Sequence, residues 1–233
     1  MLEFPRVALL DDSVDSYTWW REHGHEWPAE IEARRATQII YSLQECFLQT
    51  YLGMLAPAKI LEFGCGYGRH LNYLSKLPGL DCFGCDQSKT MLDGLLKWAP
   101  QEWAAGRIRQ IEPLESLPYP DKAFDVVFTT SVLIHIAPAH LTGILTELIR
   151  VARHEIIHIE NNRVEETTLS SPEHDGCWMH PIARVYNEIG ARAEILNKGL
   201  VKQDIYRVRL EPFARQTHVA ECLLSKLIEI DRC

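Results

Sequence analysis

Apolar and polar positions between residues 58 and 160 alternate in a way that predicts strands separated by helices. The strand-like runs are short, rich in β-branched and aromatic residues and bounded by turn residues; they are 59–61, 80–85, 124–129 and 155–159. Segments with the helical period of 3.6 residues follow three of them, at 69–76, 88–96 and 138–151. Because strand and helix alternate, the sequence predicts an α/β fold with a doubly wound, mostly parallel sheet.

An N-terminal segment of residues 1–57 precedes this core. Residues 1–28 are rich in aromatic side chains and are predicted to be irregular. Pro28 is expected to open one long helix that ends near Leu55, because proline is tolerated in the first turn and an apolar stripe follows it. We expect this segment to form a lid and helical cap over the core.

Further elements follow the core. The polar stretch 161–181 predicts a loop whose length alone suggests a functional role. Residues 182–211 predict a final helix and a strand pair, and residues 212–233 predict an extra C-terminal helix with one apolar face. Packing of this helix on the domain and pairing with a second subunit, as in a homodimer, both remain open. The whole chain of 233 residues is expected to be a single domain.

A glycine-rich loop follows the first strand and carries the sequence Glu62-Phe63-Gly64-Cys65-Gly66-Tyr67-Gly68. Three alternate glycines let the backbone turn sharply and approach a ligand closely. A dinucleotide fingerprint needs a third glycine where this chain has Arg69, and a P-loop needs a Gly-Lys-Ser/Thr ending that is absent. The loop therefore predicts a nucleotide site that does not hold a pyrophosphate.

The spacing E-x-G-x-G-x-G resembles the first motif of class I S-adenosylmethionine-dependent methyltransferases. Three later blocks resemble further motifs of the same family: Asp86-Gln87-Ser88 after the second strand, Glu115 to Val127, and Thr130 to Pro138. The resemblance covers about residues 58–160, and 181–210 by pattern only. It implies a seven-stranded Rossmann-like sheet and S-adenosyl-L-methionine as cofactor, with a faint similarity to methylases of sugar and polysaccharide biosynthesis.

The resemblance also implies which residues contact the methyl donor. Asp86 would accept hydrogen bonds from the two ribose hydroxyls, although the same carboxylate taken alone is equally suited to capping the next helix. The adenine would lie against Leu114 and Glu115, because the family's usual acidic position holds Pro113 here. The full donor set is Glu62, Gly64, Cys65, Gly66, Gly68, Asp86, Gln87, Leu114, Glu115 and Ser131.

His135 is the first candidate for a catalytic base, because it lies in the motif that lines the meeting point of donor and acceptor in the family. Histidine can take a proton at neutral pH, but a packing or orienting role is equally consistent with the sequence. The next candidates are His180 and Glu160, which lie in the polar stretch from Glu160 to Pro181 after the last core strand. The acceptor is expected to contact Tyr17, Trp20, Glu160, Trp178 and His180, with the loop and the N-terminal segment closing over it.

Metal chemistry is not expected. His174, Asp175, Cys177 and His180 lie close together in the loop, but their spacing matches no closed four-ligand pattern. A substrate-contacting loop is the preferred interpretation.

The composition limits the classes of binding partner and the cellular compartment that we expect. The formal net charge of −8 argues against a broad electrostatic grip on nucleic acid. The odd number of cysteines, seven, fits reduced thiols in a cytoplasmic protein. No signal peptide and no apolar run of membrane-spanning length is apparent.

Taken together, the sequence predicts methyl transfer from S-adenosylmethionine to a hydroxyl of a small polar metabolite, a sugar being one candidate. An N-methyltransferase of a small amine and a non-catalytic S-adenosylmethionine-binding module are the alternatives.

Overall fold

The computed structural model describes residues 16–112, 116–161, 164–169, 177–197 and 203–213. Its helices are α1 Ser16–His23, α2 Trp27–Arg35, α3 Ile39–Leu55, α4 Arg69–Leu74, α5 Lys89–Leu95, α6 Gln101–Arg107, α7 Pro138–Val151 and α8 Ile182–Glu188. Its strands are β1 Ala58–Phe63, β2 Leu80–Asp86, β3 Ile108–Gln110, β4 Phe124–Thr130, β5 Ala152–Asn161, β6 Thr168–Leu169, β7 Trp178–Met179, β8 Ala193–Asn197 and β9 Gln203–Arg209. Two short 3₁₀ turns cover Gly24–Glu26 and Leu133–His135.

Seven of the strands form one sheet in the order β3-β2-β1-β4-β5-β9-β8. The first five pair in parallel, whereas β9 runs antiparallel to both of its neighbours, β5 and β8. This arrangement confirms the predicted doubly wound, mostly parallel sheet. Since all parallel strands end at the same edge, the loops after β1, β2, β4 and β5 meet there, which is where such folds bind ligands.

The sheet is covered on both faces, which explains why its central strands are apolar on both sides. One apolar layer joins the sheet to α3, α4 and α5 through side chains such as Leu48, Leu52 and Leu71. The other joins it to α7 and α8 through Leu145, Leu148 and similar residues. The α7 helix begins at Pro138, as its sequence predicted.

The N-terminal segment differs from the expectation in two ways. Residues 16–23 are helical rather than irregular, and the expected single helix is divided into α2 and α3. The break lies at residues 36–38, where Gln38 is extended at φ −118° and ψ 114°. Thr37 donates its hydroxyl to the Ala33 carbonyl at 3.4 Å, a local side-chain bond that competes with helix propagation.

The N-terminal cap reaches the helix that follows β2. Gly24 packs so closely on this helix that a Cβ would lie 2.8 Å from Cγ of Met91 and 2.9 Å from the Ser88 hydroxyl. Ser88 itself is the N-cap of α5 and accepts a hydrogen bond from the Met91 N–H, as the sequence predicted. The cap is therefore docked at the carboxyl edge of the sheet.

Parts of the expected architecture lie outside the described residues. These are the C-terminal helix, of which only 212 and 213 are described, and much of the loop 161–181. The described part of that loop contains a two-stranded ribbon, β6 paired with β7. Within the described ranges, every helix is too short or too polar to cross a membrane.

A buried polar contact joins the cap to the sheet below it. The Tyr51 hydroxyl of α3 donates to the Glu155 carboxylate of β5 at 2.5 Å. Arg207 of β9 approaches the same hydroxyl at 3.4 Å and pairs with Glu194 at 2.6 Å. Burial raises the pKa of Glu155, so the tyrosine hydrogen bond offsets part of the cost of keeping this carboxylate inside the protein.

Replacing Tyr51 with phenylalanine should lower the free energy of unfolding by about 1–3 kcal/mol, because a buried carboxylate loses its donor. Urea unfolding of the two proteins measures the difference. Tyr119→Phe is the matched comparison, since the buried Tyr119 hydroxyl faces the Cys85 thiol, a weak hydrogen-bonding group, rather than a carboxylate. That variant should be as stable as the wild type or more so. Equal losses in both variants would contradict this account of Tyr51.

Candidate active site

The glycine loop after β1 has a left-handed backbone at all three glycines. The φ angles are +74° at Gly64, +53° at Gly66 and +75° at Gly68. A Cβ at Gly64 would lie 2.5 Å from Cγ2 of Val132, and one at Gly68 would lie 2.7 Å from Cδ1 of Leu95. Glycine is therefore required at these positions both by backbone conformation and by space.

Asp86, the last residue of β2, holds this bend. Its Oδ2 accepts the Gly66 N–H at 2.8 Å and its Oδ1 accepts the Ser88 N–H at 2.8 Å. Burial raises the pKa of Asp86, and the backbone N–H donors of Ser88, Gly66 and Gln87 oppose that rise. Each carboxylate oxygen has two lone pairs, so these bonds leave capacity for a ligand hydroxyl. Contact of Asp86 and the adjacent Gln87 with a ribose stays a prediction.

Two buried polar atoms at the ends of neighbouring strands have no hydrogen-bond partner in the described parts of the chain. They are Oε2 of Glu62 at the end of β1 and the hydroxyl of Thr130 at the end of β4. Glu62 is only 3% exposed, and burial raises its pKa well above the usual value. An unpaired buried carboxylate is costly, so this is a place where an additional hydrogen-bond donor would be stabilised.

A row of side-chain hydrogen bonds connects the start of α4 to the end of β4. Arg69 donates to Gln44, Gln44 donates to Gln203, and Gln203 donates to the Ser131 hydroxyl, at 2.9, 2.6 and 2.7 Å. Ser131 itself has a positive φ of +56°, a conformation that costs a non-glycine residue energy. The contacts of Gln44 and Gln203 therefore support a strained residue at the predicted donor site.

His135 lies at the end of the 3₁₀ turn that follows β4. The turn abuts the glycine loop, since Val132 fills the space at Gly64. The imidazole is half-buried and meets the edge of the Trp20 ring at a centroid distance of 4.8 Å. Its Nδ1 is 3.8 Å from Sγ of Cys177. The N-terminal cap and the loop before α8 therefore meet at His135. Their closure over an acceptor stays a prediction.

Burial lowers the pKa of His135 to about 4. The sequence-based expectation of a histidine that titrates near neutrality therefore needs revision, because the surroundings penalise the charged imidazolium. The lowered pKa favours the neutral ring at physiological pH and makes it a weaker base than an exposed histidine.

Glu160 does not belong to the polar loop. It lies inside β5, is fully buried, and accepts hydrogen bonds from the Thr129 hydroxyl at 2.7 Å and from the Val132 and Leu133 N–H groups at 3.0 and 3.2 Å. The expected placement of Glu160 on a loop is thus wrong, because the strand continues through residue 161. Its contact with an acceptor stays a prediction.

His180 is also fully buried. Its Nε2 donates to the carbonyl of Ile136 at 2.9 Å, and its Nδ1 has no partner within the described ranges. Burial lowers its pKa. Trp178 lies in β7, the strand that packs against the 3₁₀ turn of His135, so both residues flank the candidate base. Their contact with an acceptor stays a prediction.

Several predicted positions cannot be compared with the structure. Leu114, Glu115, His174 and Asp175 lie outside the described residues. Tyr17 lies in α1, but its side chain is not described. Cys65, which belongs to the glycine loop, is buried. The described residues contain no cluster of three or more side chains suited to a metal ion.

Comparisons with known proteins agree with this geometry. Residues 61–157 match the family model described as a methyltransferase domain. Methyltransferase GfsG from Streptomyces halstedii is 24% identical over 147 residues, which are 63% of this chain and 49% of that protein. The chain therefore spans about half the length of this curated relative.

Solved structures share the fold at low sequence identity. Magnesium protoporphyrin IX methyltransferase from Synechocystis PCC 6803, with bound SAM, matches with a TM-score of 0.61 and 16% identity over 86% of this chain and 100% of its own. The 1,6-didemethyltoxoflavin-N1-methyltransferase of Burkholderia thailandensis matches with a TM-score of 0.57 and 14% identity over 84% of this chain and 86% of its own. Residues 61–157 therefore form a methyltransferase domain, and the strand order and the glycine loop are those expected from the resemblance to class I S-adenosylmethionine-dependent methyltransferases.

The residues present fit the cofactor of this family. The loop has no room for a Cβ at its three glycines, and the unpaired Oε2 of Glu62 offers an acceptor for a cationic or N–H donor beside it. Asp86 retains acceptor capacity for hydroxyl groups. The acceptors on Glu62 and Asp86 suit a nucleoside that carries an ammonium group rather than a diphosphate.

Gly64→Ala should destabilise the protein and weaken binding of S-adenosylhomocysteine, because the new methyl group meets the branched side chain of Val132 and requires a left-handed backbone. We expect a loss of about 1–3 kcal/mol in urea unfolding and at least a tenfold rise in Kd by calorimetry. Gly143→Ala is the control: Gly143 is helical, with open space around it, and should gain up to about 1 kcal/mol. An unchanged Kd in Gly64→Ala would contradict this role of the loop.

His135 should remain neutral at pH 6 in the folded protein. The ¹³C–¹H signals of its ring, assigned by their disappearance in His135→Gln, should titrate with a midpoint near the lowered pKa of about 4. A midpoint near the ordinary value of ~6.5 would show that the ring is solvated and that the burial argument fails.

Proposed function

We propose that this protein transfers a methyl group from S-adenosylmethionine to a hydroxyl of a small polar metabolite, with a sugar as one candidate. The proposal rests on the position of the His135 imidazole. His135 ends the 3₁₀ turn whose Val132 contacts the glycine loop, and its ring contacts the Trp20 ring. Two matched structures are named for small organic acceptors, which supports the size class. The net charge of −8 speaks against nucleic acid as the acceptor.

The chain's own groups would hold the donor at the carboxyl edge of the sheet. The left-handed glycine loop gives close approach, Glu62 offers its unpaired oxygen to an amino group, and Asp86 offers its remaining lone pairs to hydroxyls. When bound, the sulfonium supplies an already activated methyl group. The protein then needs mainly to align the nucleophile, and alignment alone can contribute several kcal/mol.

The presence of an imidazole beside the site favours an oxygen nucleophile over a nitrogen one, because a hydroxyl needs a proton acceptor when it is methylated. A hydroxyl that gains a methyl group becomes a very strong acid and must lose its proton to a neighbour. A neutral imidazole with a pKa of about 4 is basic enough to accept that proton. It is too weak a base to deprotonate the alcohol before methyl transfer begins. A methylated amine keeps its proton in water and needs no such base.

N-methylation is the second candidate, favoured by the aromatic cluster of α1 and α2. Trp20 contacts Trp19 and Trp27 at ring-centroid distances of 4.9 and 5.4 Å. Such π faces attract a cation, and a methylated ammonium product is one. The third candidate is a non-catalytic binding module.

Incubation with S-adenosylmethionine radiolabelled in the methyl group and a fractionated polar metabolite extract tests these candidates. We expect label in a neutral, polar product that is stable to base, as an ether is. Label in a cationic product would support methylation of an amine instead of a hydroxyl. Binding of S-adenosylhomocysteine without any labelled product would support the non-catalytic binding module.

Two substitutions should separate binding from turnover. His135→Ala should lower kcat by about 100-fold, since general acid–base contributions are of that order, and should leave S-adenosylhomocysteine affinity unchanged. Asp86→Ala should raise Kd for S-adenosylhomocysteine by about tenfold or more, because the loop loses its acceptor. His140→Ala, an exposed position in the first turn of α7, is the control for His135. Full turnover in His135→Ala would exclude its role as the proton acceptor.

A further inference from the structure

We propose that Glu160 is a positioning residue that holds the turn bearing His135 in its working orientation. The inference rests on the proposed function, because the turn matters only if His135 meets an acceptor. It assigns to Glu160 a task different from the substrate contact expected from sequence.

The geometry is a convergence of three donors on one carboxylate. Oε1 accepts the Thr129 hydroxyl at 2.7 Å and the Val132 N–H at 3.0 Å, and Oε2 accepts the Leu133 N–H at 3.2 Å. The last two groups lie at the start of the 3₁₀ turn, where backbone N–H groups have no partner within the turn. Glu160 therefore fixes the beginning of the same turn whose end is His135.

A second set of hydrogen bonds fixes Glu160 in its place. Because the Thr129 hydroxyl donates to Glu160, it accepts from Nδ1–H of His158 at 2.8 Å, and Nε2 of His158 accepts from the Tyr186 hydroxyl at 2.7 Å. This assignment requires a neutral His158, and burial indeed lowers its pKa to about 3. We call this set, Tyr186–His158–Thr129–Glu160, the buried relay.

The relay crosses three elements, since Tyr186 belongs to α8, His158 and Glu160 to β5, and Thr129 to β4. All four side chains are fully buried. Apolar residues of similar volume would avoid the desolvation of a carboxylate. Stability alone therefore does not explain why these four buried residues are polar. Their hydrogen bonds are directional, so they can hold the turn in one orientation.

Glu155 provides a matched control for this argument. It is a second buried carboxylate in β5, with 3% exposure, but it accepts from Tyr51 rather than from the turn. Glu155→Gln and Glu160→Gln make the same chemical change in the same strand. Only the second places an amide NH₂ group against backbone N–H donors of the turn.

The test compares the two variants in the full-length protein by kinetics, calorimetry and NMR. Glu160→Gln should lower kcat by about 100-fold, as expected for misplacement of a catalytic group, while KM and the Kd for S-adenosylhomocysteine stay within twofold. The ring signals of His135 should shift. Glu155→Gln should lower Tm and leave kcat and the His135 signals unchanged.

Thr129→Val serves if Glu160→Gln does not fold, because it removes one of the three bonds and keeps the side-chain shape. It should shift the His135 signals and lower kcat by a smaller factor. The proposal is overturned if the His135 signals and kcat of the Glu160 or Thr129 variant match the wild type, or if kcat falls equally in Glu155→Gln. Absence of methyl transfer by the wild type would refute the proposed function separately, and a shift of the His135 signals in Glu160→Gln would then still support the positioning role.

Discussion

The left-handed backbone at Gly64, Gly66 and Gly68 is the constraint on which the rest of the site depends. It reverses the chain within five residues between β1 and α4, and every neighbouring group is arranged around it. Val132 occupies the volume that a side chain at Gly64 would need, and Leu95 and Trp98 occupy that at Gly68. The loop, the β4 turn and α5 therefore adopt compatible positions only when the three glycines are present.

Two carboxylates, the partly buried Asp86 and the fully buried Glu160, perform the same physical task on the two sides of this loop. Asp86 ends β2 and accepts backbone N–H groups at Gly66 and Ser88, while Glu160 near the end of β5 accepts those of Val132 and Leu133. In both cases a strand positions an acceptor against the irregular backbone that follows the neighbouring strand: β2 does so for the loop after β1, and β5 for the turn after β4. Irregular backbone at the edge of a sheet cannot satisfy its own donors, so a rigid strand supplies the acceptor. The site is precise because its loops are held by the sheet rather than by each other.

The sequence predicted the parts of the molecule that depend on local pattern. The alternating core, the glycine loop, the Ser88 cap and the Pro138 helix start are all confirmed, because each rests on neighbouring residues. The errors in the N-terminal segment are local, since α1 was expected to be irregular and α2 and α3 were expected to be one helix. The errors at the site concern contacts between distant residues. Glu160 looked like the first residue of a polar loop, yet β5 continues beneath it. The pairing of Gln44 with Gln203 joins residues 159 positions apart, and no pattern in a single sequence indicates it.

The pKa of His135 shows how long-range packing alters chemistry that sequence alone suggests. A histidine motif predicts a base that titrates near neutrality, but the burial of the ring, to which the Trp20 contact belongs, removes solvent and lowers that pKa. In the proposed transfer to a hydroxyl, the same burial would limit the water that competes for the acceptor. A strong base is not needed when the proton becomes acidic only as the new bond forms. Restricted access of water and a weakened base are thus two consequences of the same partial burial, and a hydroxyl acceptor tolerates the weakened base because its proton is lost only as the new bond forms.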